Sequence, residues 1–130
     1  TANVSVPYTA QTPDEITVAQ IHGITLNGAS APPLLRVTME NGDLHARIKT
    51  NANGSSTDNV LLVSNIDSTR FGLEVRVQSG RISISVNSIV RLDRSLSFWP
   101  HHNYFKAGNY AQATSGVGEV HFYKLIASHQ

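Results

Sequence analysis

Two stretches of alternating apolar and polar residues meet at Asn41-Gly42, and this pattern restricts the chain to antiparallel β-structure there. Asn-Gly is a preferred centre for a two-residue hairpin turn, because both residues accept a positive φ. The pairs that this turn predicts are Leu35–Ile48, Val37–Ala46 and Met39–Leu44. All six apolar side chains then share one face, and polar residues take the other, so the hairpin belongs to a sheet with one buried side.

A second hairpin follows the same logic across Ser79-Gly80. Its predicted pairs are Leu73–Val86, Val75–Ile84 and Val77–Ile82. Further strands are predicted at 15–22, 60–63, 95–98, 104–112 and 119–126, with a polar loop at 51–59. No segment repeats apolar residues with a helical period. The predicted fold class is all-β, an antiparallel β-sandwich of jelly-roll type.

Composition narrows the range of ligands. The 130 residues suit a single domain, and the net charge of +1 gives no overall field for holding nucleic acid or a membrane surface. Cysteine is absent, which excludes disulfides and thiolate chemistry. His101-His102 has no carboxylate or cysteine at ligand spacing, so no metal site is predicted.

The segment 104–112 carries long polar side chains at alternate positions of a predicted strand. Alternate residues of a strand point the same way. One face therefore carries Tyr104, Lys106, Tyr110 and Gln112. Gly108 lies on that face and lets a ligand approach the backbone closely, while Phe105 and Ala107 turn to the opposite side. A face of this composition indicates a sugar-binding surface.

The same segment resembles the YFKAGxYxQ motif of the alginate lyases of polysaccharide lyase family 7. A second motif of that family, Q-[I/V]-H, is matched by Gln20-Ile21-His22, in the family's order. The resemblance implies a lyase that cleaves the 4-O-glycosidic bond of alginate by β-elimination without a cofactor. It also implies a secreted or periplasmic protein. The isoleucine of the second motif favours guluronate-containing blocks.

The resemblance also implies a role for each motif residue. Gln20, His22 and Tyr110 correspond to the catalytic residues: the glutamine helps to neutralise the C5 carboxylate, and the histidine and tyrosine form the acid–base pair. Their chemistry suits these tasks, since an imidazole can be a neutral base and a phenol keeps its proton until O4 develops charge. The predicted substrate-binding residues are Tyr104, Lys106, Asn109 and Gln112, with Lys106 at a neighbouring carboxylate.

One part of the family's pattern is missing from the sequence. The motif R-[S/T]-E-[L/M]-R precedes Q-[I/V]-H in the family and supplies the main neutralising cation. The nearest strings, Ser68-Thr69-Arg70 and Arg94-Ser95-Leu96, follow His22 and lack the glutamate. We therefore expect residues 1–130 to be the C-terminal portion of a single jelly-roll catalytic domain. The expected partners are alginate or a related polyuronate, and an N-terminal fragment or second chain that carries the arginine motif.

Two alternatives fit the same residues. A non-catalytic carbohydrate-binding module could use the same jelly roll, because a fold alone does not establish chemistry. A lyase for another polyuronate could use the same motif residues, since their chemistry acts on any C5 carboxylate. Absorbance of the unsaturated product on different polyuronates separates these possibilities.

Overall fold

The computed structural model describes residues 1–9, 11–25, 27–112 and 115–128. The strands are β1 Ala2–Ser5, β2 Glu15–Ile24, β3 Ser30–Glu40, β4 Asp43–Lys49, β5 Thr57–Val63, β6 Phe71–Gln78, β7 Arg81–Val86, β8 Ile89–Ser95, β9 His102–Ala111 and β10 His121–Leu125. They form two antiparallel five-stranded sheets. The groove sheet has the order β5-β4-β3-β2-β9, and the outer sheet has the order β10-β1-β6-β7-β8.

The predicted fold class is confirmed, and both predicted hairpins have the expected register. Leu35 pairs with Ile48 and Met39 with Leu44 across the turn at Asn41. The second hairpin pairs its predicted apolar residues in the same way. Asn41 adopts a φ of 50° and Gly42 a φ of 90°, as a primed turn requires.

The core lies between the two sheets and comes from the apolar face of each. The groove sheet contributes Ile16, Ile21, Leu35, Val37, Met39, Leu44 and Ile48, and the outer sheet contributes Val4, Phe71, Leu73, Ile82 and Ile84. Fully burying one side chain of this size stabilises the fold by about 1.5–3 kcal/mol. The core therefore fixes which face of the groove sheet remains open to solvent.

Two of the predicted segments are wrong. Residues 96–100 form a turn, in which the Trp99 N–H donates to the Leu96 carbonyl at 2.9 Å, and the strand there is β8, which ends at Ser95. Leu96 and Trp99 are both buried at a spacing of three, which a turn can satisfy and a strand cannot. The predicted loop 51–59 also ends early, because β5 begins at Thr57. β1 was not predicted, since four residues carry too little pattern.

An irregular stretch of β2 bends the groove sheet. Thr17 and Ala19 of β2 pair with the consecutive residues Thr38 and Val37 of β3. On the other side the same two residues pair with Tyr110 and Ala107 of β9, which are three positions apart. Across the sheet, in the order β3, β2, β9, each strand thus has one residue more between these pairs than the strand before it. Such bulges bend a strand and increase its twist, which curves the sheet around its polar face.

The two sheets meet differently at their two sides. At one side β5 and β8 are joined by an ion pair between Arg94 Nη1 and Asp58 Oδ2 at 2.6 Å. At the other side β9 and β10 are edge strands, each hydrogen-bonded to one neighbour among the described strands. Phe105 of β9 was predicted to turn away from the polar face, and 52% of its surface is exposed. Leu125 of β10 is 56% exposed.

Within the part of the chain that the structure describes, no helix has the length and apolarity that a membrane span requires.

Candidate active site

A groove crosses the polar face of the groove sheet and contains the motif residues. Its cavity has a volume of about 720 Å³, within the range of ligand sites. The lining side chains that carry hydrogen-bonding or charged groups are Thr17, Gln20, His22, Arg36, Lys49, Lys106, Asn109, Tyr110 and Gln112. Of the seven predicted site residues, six line this cavity. The seventh, Tyr104, is the cross-strand partner of His22, and the two rings pack with their centroids 5.4 Å apart.

The backbone fixes which nitrogen of the His22 ring can act as a base. His22 Nδ1 lies 3.2 Å from the carbonyl oxygen of Gly23. A carbonyl oxygen can only accept a hydrogen bond, so Nδ1 carries the proton in this contact. In the neutral ring this tautomer leaves the lone pair on Nε2, the atom that would act as a general base.

Lys106 is the cation nearest to this pair of rings. Its Nζ lies 5.2 Å from the centroid of the Tyr104 ring, within the range of a cation–π contact. Gln20 and Lys106 are direct partners across β2 and β9, so the amide and the ammonium lie side by side. Among the described residues Lys106 forms no ion pair. Its charge is therefore available to an anionic ligand.

Tyr110 and Asn109 lie at the irregular part of β9. Tyr110 is 60% exposed and pairs directly with Thr17 of β2. Asn109 Nδ2 donates to the carbonyl of Gly118 at 2.7 Å, which ties β9 to the segment before β10. Asn109 thus has a structural contact as well as a place on the groove wall. Contact of Asn109 with a substrate remains a prediction.

The groove sheet carries a network of charged side chains on its polar face. This network was not predicted from the sequence. Glu15 accepts from Arg36 Nη1 at 3.0 Å through Oε1 and from Arg47 Nη2 at 2.9 Å through Oε2. Arg47 Nε also donates to Glu40 Oε1 at 2.7 Å. A signal for this network was present, because the predicted hairpin places Arg36 directly opposite Arg47. Two like charges in that position are destabilising unless an acid lies between them.

We expect Glu40 to make stability depend on pH in acid. Burial alone would raise the pKa of Glu40, but hydrogen bonds from Arg47, Thr38 and Asn59, together with the Arg47 charge, lower it from 4.5 to about 2. A lowered carboxyl pKa stabilises the fold fully above pH 4.5, and this stabilisation is lost as the pH falls towards 2. Its size is up to about 3 kcal/mol.

Urea unfolding at pH 6 and at pH 3 measures this effect. The wild-type protein should lose part of its unfolding free energy at the lower pH. The variant Glu40→Gln should be less stable at pH 6 and should lose less between the two pH values. An equal loss in both proteins would show that other carboxyls are responsible.

Gly108 gives a test of whether the cavity is the working groove. It lines the cavity, and a Cβ built on it meets no atom within 4 Å. The variant Gly108→Val should therefore fold with a stability within about 0.5 kcal/mol of wild type. It should raise the KM for a groove ligand by about 10-fold or more, since the added methyl groups occupy the ligand's space.

Gly108→Ala is the control for the backbone change and should raise KM by less. Thermal unfolding and steady-state kinetics on both variants are the measurements. A Gly108→Val protein with wild-type KM would place the ligand elsewhere on the molecule.

Jelly-roll sandwiches include sugar-binding lectin domains, and here the groove sheet carries a polar groove. The sequence profile of the alginate lyase family matches residues 1–129. The chain therefore belongs to the alginate lyase family. No significant match was found among curated proteins.

Solved structures of alginate lyases share the fold. A variant of alginate lyase A1-II' is 28% identical and has a TM-score of 0.85 over 99% of this chain and 60% of its own length. Alginate lyase PA1167 from Pseudomonas aeruginosa is 26% identical and has a TM-score of 0.84 over 99% of this chain and 63% of its own. AlyC3, at 23% identity, matches 95% of this chain and 60% of its own length with a TM-score of 0.84. The chain thus spans about three fifths of the length of these structures.

Proposed function

We propose that this chain carries the acid–base pair and part of the substrate groove of an alginate lyase that works by β-elimination. The observation that carries the proposal is the placement of His22, with Nδ1 bonded to the Gly23 carbonyl, on the same cavity as Tyr110. Family membership supports it. So does the structure of an A1-II' variant in complex with a product described as GGG, which belongs to a protein 28% identical to this chain.

The proposed reaction has two proton transfers at one uronate ring. His22 Nε2 removes the proton from C5, and the C5 electron pair forms the C4=C5 double bond as the C4–O4 bond breaks. The hydroxyl of Tyr110 donates its proton to O4, which leaves as the new reducing end of the other fragment. Gln20 helps to neutralise the C5 carboxylate by hydrogen bonding, and this makes the C5 proton more acidic. A positioned acid or base contributes about 10²–10⁴ in rate.

We propose guluronate-containing blocks as the favoured substrate, on the basis of the isoleucine between Gln20 and His22. Alginate is a polymer too large to cross a membrane, so we also propose that the protein acts outside the cytoplasm. The test is the absorbance of unsaturated uronate from polyguluronate, polymannuronate and a glucuronate polymer. A larger amount of product from polyguluronate than from the other two polymers supports the proposal. Binding without product would favour a carbohydrate-binding module, and product only from the glucuronate polymer would favour a different polyuronate lyase.

We further propose that a complementary segment covers the side of the sandwich formed by β9 and β10. Among the described strands each of the two has one edge without a partner there, and Phe105 and Leu125 are more than half exposed. Exposed apolar edges promote aggregation, so a soluble protein covers them. The segment would also bring the arginine that neutralises the C5 carboxylate.

Residues 1–130 expressed alone should therefore aggregate and should turn over alginate about 10²–10³ more slowly than a mixture with the complementary segment, the usual cost of losing a preorganised charge. Light scattering and product absorbance are the measurements. The substitution Phe105→Lys should reduce the aggregation without restoring the rate, because a charge protects an edge strand but does not replace the missing arginine. Full activity from the soluble 130-residue chain alone would contradict the proposal.

A further inference from the structure

Arg36 lies in the groove with part of its hydrogen-bonding capacity unused. Its Nη1 donates both to Glu15 Oε1 at 3.0 Å and to Gln112 Oε1 at 2.8 Å. Its Nε and Nη2 have no partner among the described residues. The side chain is 23% exposed and lines the cavity. Arg36 is thus held in place by two neighbours while two of its donor nitrogens remain available.

The contact with Arg36 also determines how Gln112 is oriented. A guanidinium has only donors, so the Gln112 amide must present its oxygen to Arg36. The amide nitrogen of Gln112 is then left to donate to a ligand. Gln112 lines the same cavity, next to Glu15 at the end of β9. Arg36 and Gln112 together offer three donor nitrogens to a ligand: Arg36 Nε, Arg36 Nη2 and the Gln112 amide nitrogen.

Thr17 gives an independent indication that this part of the wall contacts a polar ligand. Its side chain is almost fully buried, at 2% exposure, and it lines the cavity. Thr17 Oγ1 has no hydrogen-bond partner among the described residues. A buried hydroxyl without a partner is unfavourable, and a bound polar ligand or water would satisfy it. Thr17 lies directly across from Tyr110, so its hydroxyl belongs to the part of the wall next to the proposed acid.

We propose that Arg36, Gln112 and Thr17 form a second carboxylate subsite, on the far side of Tyr110 from Lys106. The donors match a carboxylate, because a planar guanidinium binds its two oxygens and the amide and hydroxyl add further donors. Gln20 pairs with Lys106 on one side and with Arg36 on the other, so the two cations start from the same row of the sheet. The Arg36 guanidinium, however, reaches Gln112, which follows Tyr110 along the chain. An alginate chain carries one carboxylate on each ring. Cations on both sides of Tyr110 therefore bind the rings on both sides of the bond that is cleaved.

This inference rests on the proposed lyase function, and Arg47 provides a matched control for it. Arg47 shares Glu15 with Arg36 and has a similar exposure of 30%, but it does not line the cavity. In the intact protein, Arg36→Met should raise the KM for guluronate oligomers by about 10-fold or more, with kcat within about threefold of wild type. Arg36→Lys should restore part of the affinity. Arg47→Met should lower the melting temperature at least as much and leave KM unchanged.

Thr17→Val removes the hydroxyl and keeps the shape of the side chain. It should raise KM while the melting temperature stays the same or rises, because the fold loses an unpaired buried group. Thr17→Ser keeps the hydroxyl and should retain the wild-type KM. Wild-type KM values for Arg36→Met or Thr17→Val, in a protein that cleaves alginate, would overturn the subsite and leave the lyase function standing. A wild-type protein that gives no unsaturated product would overturn the function itself.

The dissociation constant of guluronate oligomers for the His22→Ala protein measures the subsite without turnover. Adding Arg36→Met to that variant should weaken binding by the same factor as it raises KM. Equal dissociation constants with and without Arg36→Met would overturn the subsite.

Discussion

Replacing His22 with alanine should reduce kcat on polyguluronate by about 10²–10⁴, the contribution of one positioned base. In the proposed mechanism the loss lies in kcat, because His22 is assigned to the C5 proton in the transition state while Gln20, Lys106 and Arg36 are assigned to carboxylate binding. Stability should change little, since the His22 ring is partly exposed and its one hydrogen bond is to the adjacent Gly23. Steady-state kinetics and oligosaccharide binding measure the two effects separately.

His45→Ala is the matched control for this experiment. His45 lies on the same face of the groove sheet, on β4, and its Nδ1 is 2.8 Å from Asn59 Oδ1. It does not line the cavity. The His45 variant should keep the wild-type kcat, and a comparable loss in both variants would mean that the effect of His22 is structural.

The parts of the fold that the sequence predicts are those where local pattern and turn chemistry agree. The Asn41-Gly42 hairpin is one example, because its turn type fixes the register and the alternation fixes the buried face. Ile89 and Val90 illustrate the opposite case. These apolar residues of β8 are exposed at the edge of the outer sheet, so their positions do not repeat the pattern of a half-buried strand. The exposure of residues in an edge strand depends on the neighbouring elements of the fold, and the local sequence does not show which elements these are.

The site was predictable only in part, for a related reason. Strand alternation correctly places Lys106, Tyr110 and Gln112 on one wall, and Gln20 and His22 face the same cavity. The bulge at Val18 is not visible in the sequence, because it depends on how β3 and β9 pair on either side of β2. That bulge changes which residues of β2 face the groove, so that Thr17 joins Gln20 and His22 there. The alternation pattern correctly places Arg36 on the polar face. Its contacts with Glu15 and Gln112 join β3 to the start of β2 and to the residue after β9, and local pattern does not predict contacts between separate strands.

The charges of the groove fall into two groups with different tasks. Arg47 binds both Glu15 and Glu40, and Glu15 also binds Arg36, so the four charges of this network cancel. Lys106 and Arg36 retain donors that face the cavity. An enzyme that binds a polyanion needs such available cations, while the paired ones keep the curved sheet rigid enough to position them.

Replacing Tyr110 with phenylalanine should reduce kcat by about 10²–10⁴ and leave the structure intact. The substitution removes only the hydroxyl oxygen, which forms no hydrogen bond to any described residue, and the ring is 60% exposed. No fold contact is therefore lost. Without the acid, O4 must leave as an alkoxide, and the cost falls on the transition state and not on binding. KM should change by less than about threefold.

Tyr123→Phe controls for the loss of a tyrosine hydroxyl outside the groove, because Tyr123 is 51% exposed on β10. Its hydroxyl lies 3.1 Å from Ser5 Oγ, so this variant loses a fold contact that Tyr110→Phe does not. It should keep full activity. Comparing His22→Ala with Tyr110→Phe on two substrates then separates the base from the acid. If His22 is the base on guluronate and Tyr110 serves as both base and acid on mannuronate, both variants fail on polyguluronate and only Tyr110→Phe fails on polymannuronate. A Tyr110→Phe protein with wild-type kcat on either polymer would remove this residue from the mechanism for that polymer and show that another group protonates O4.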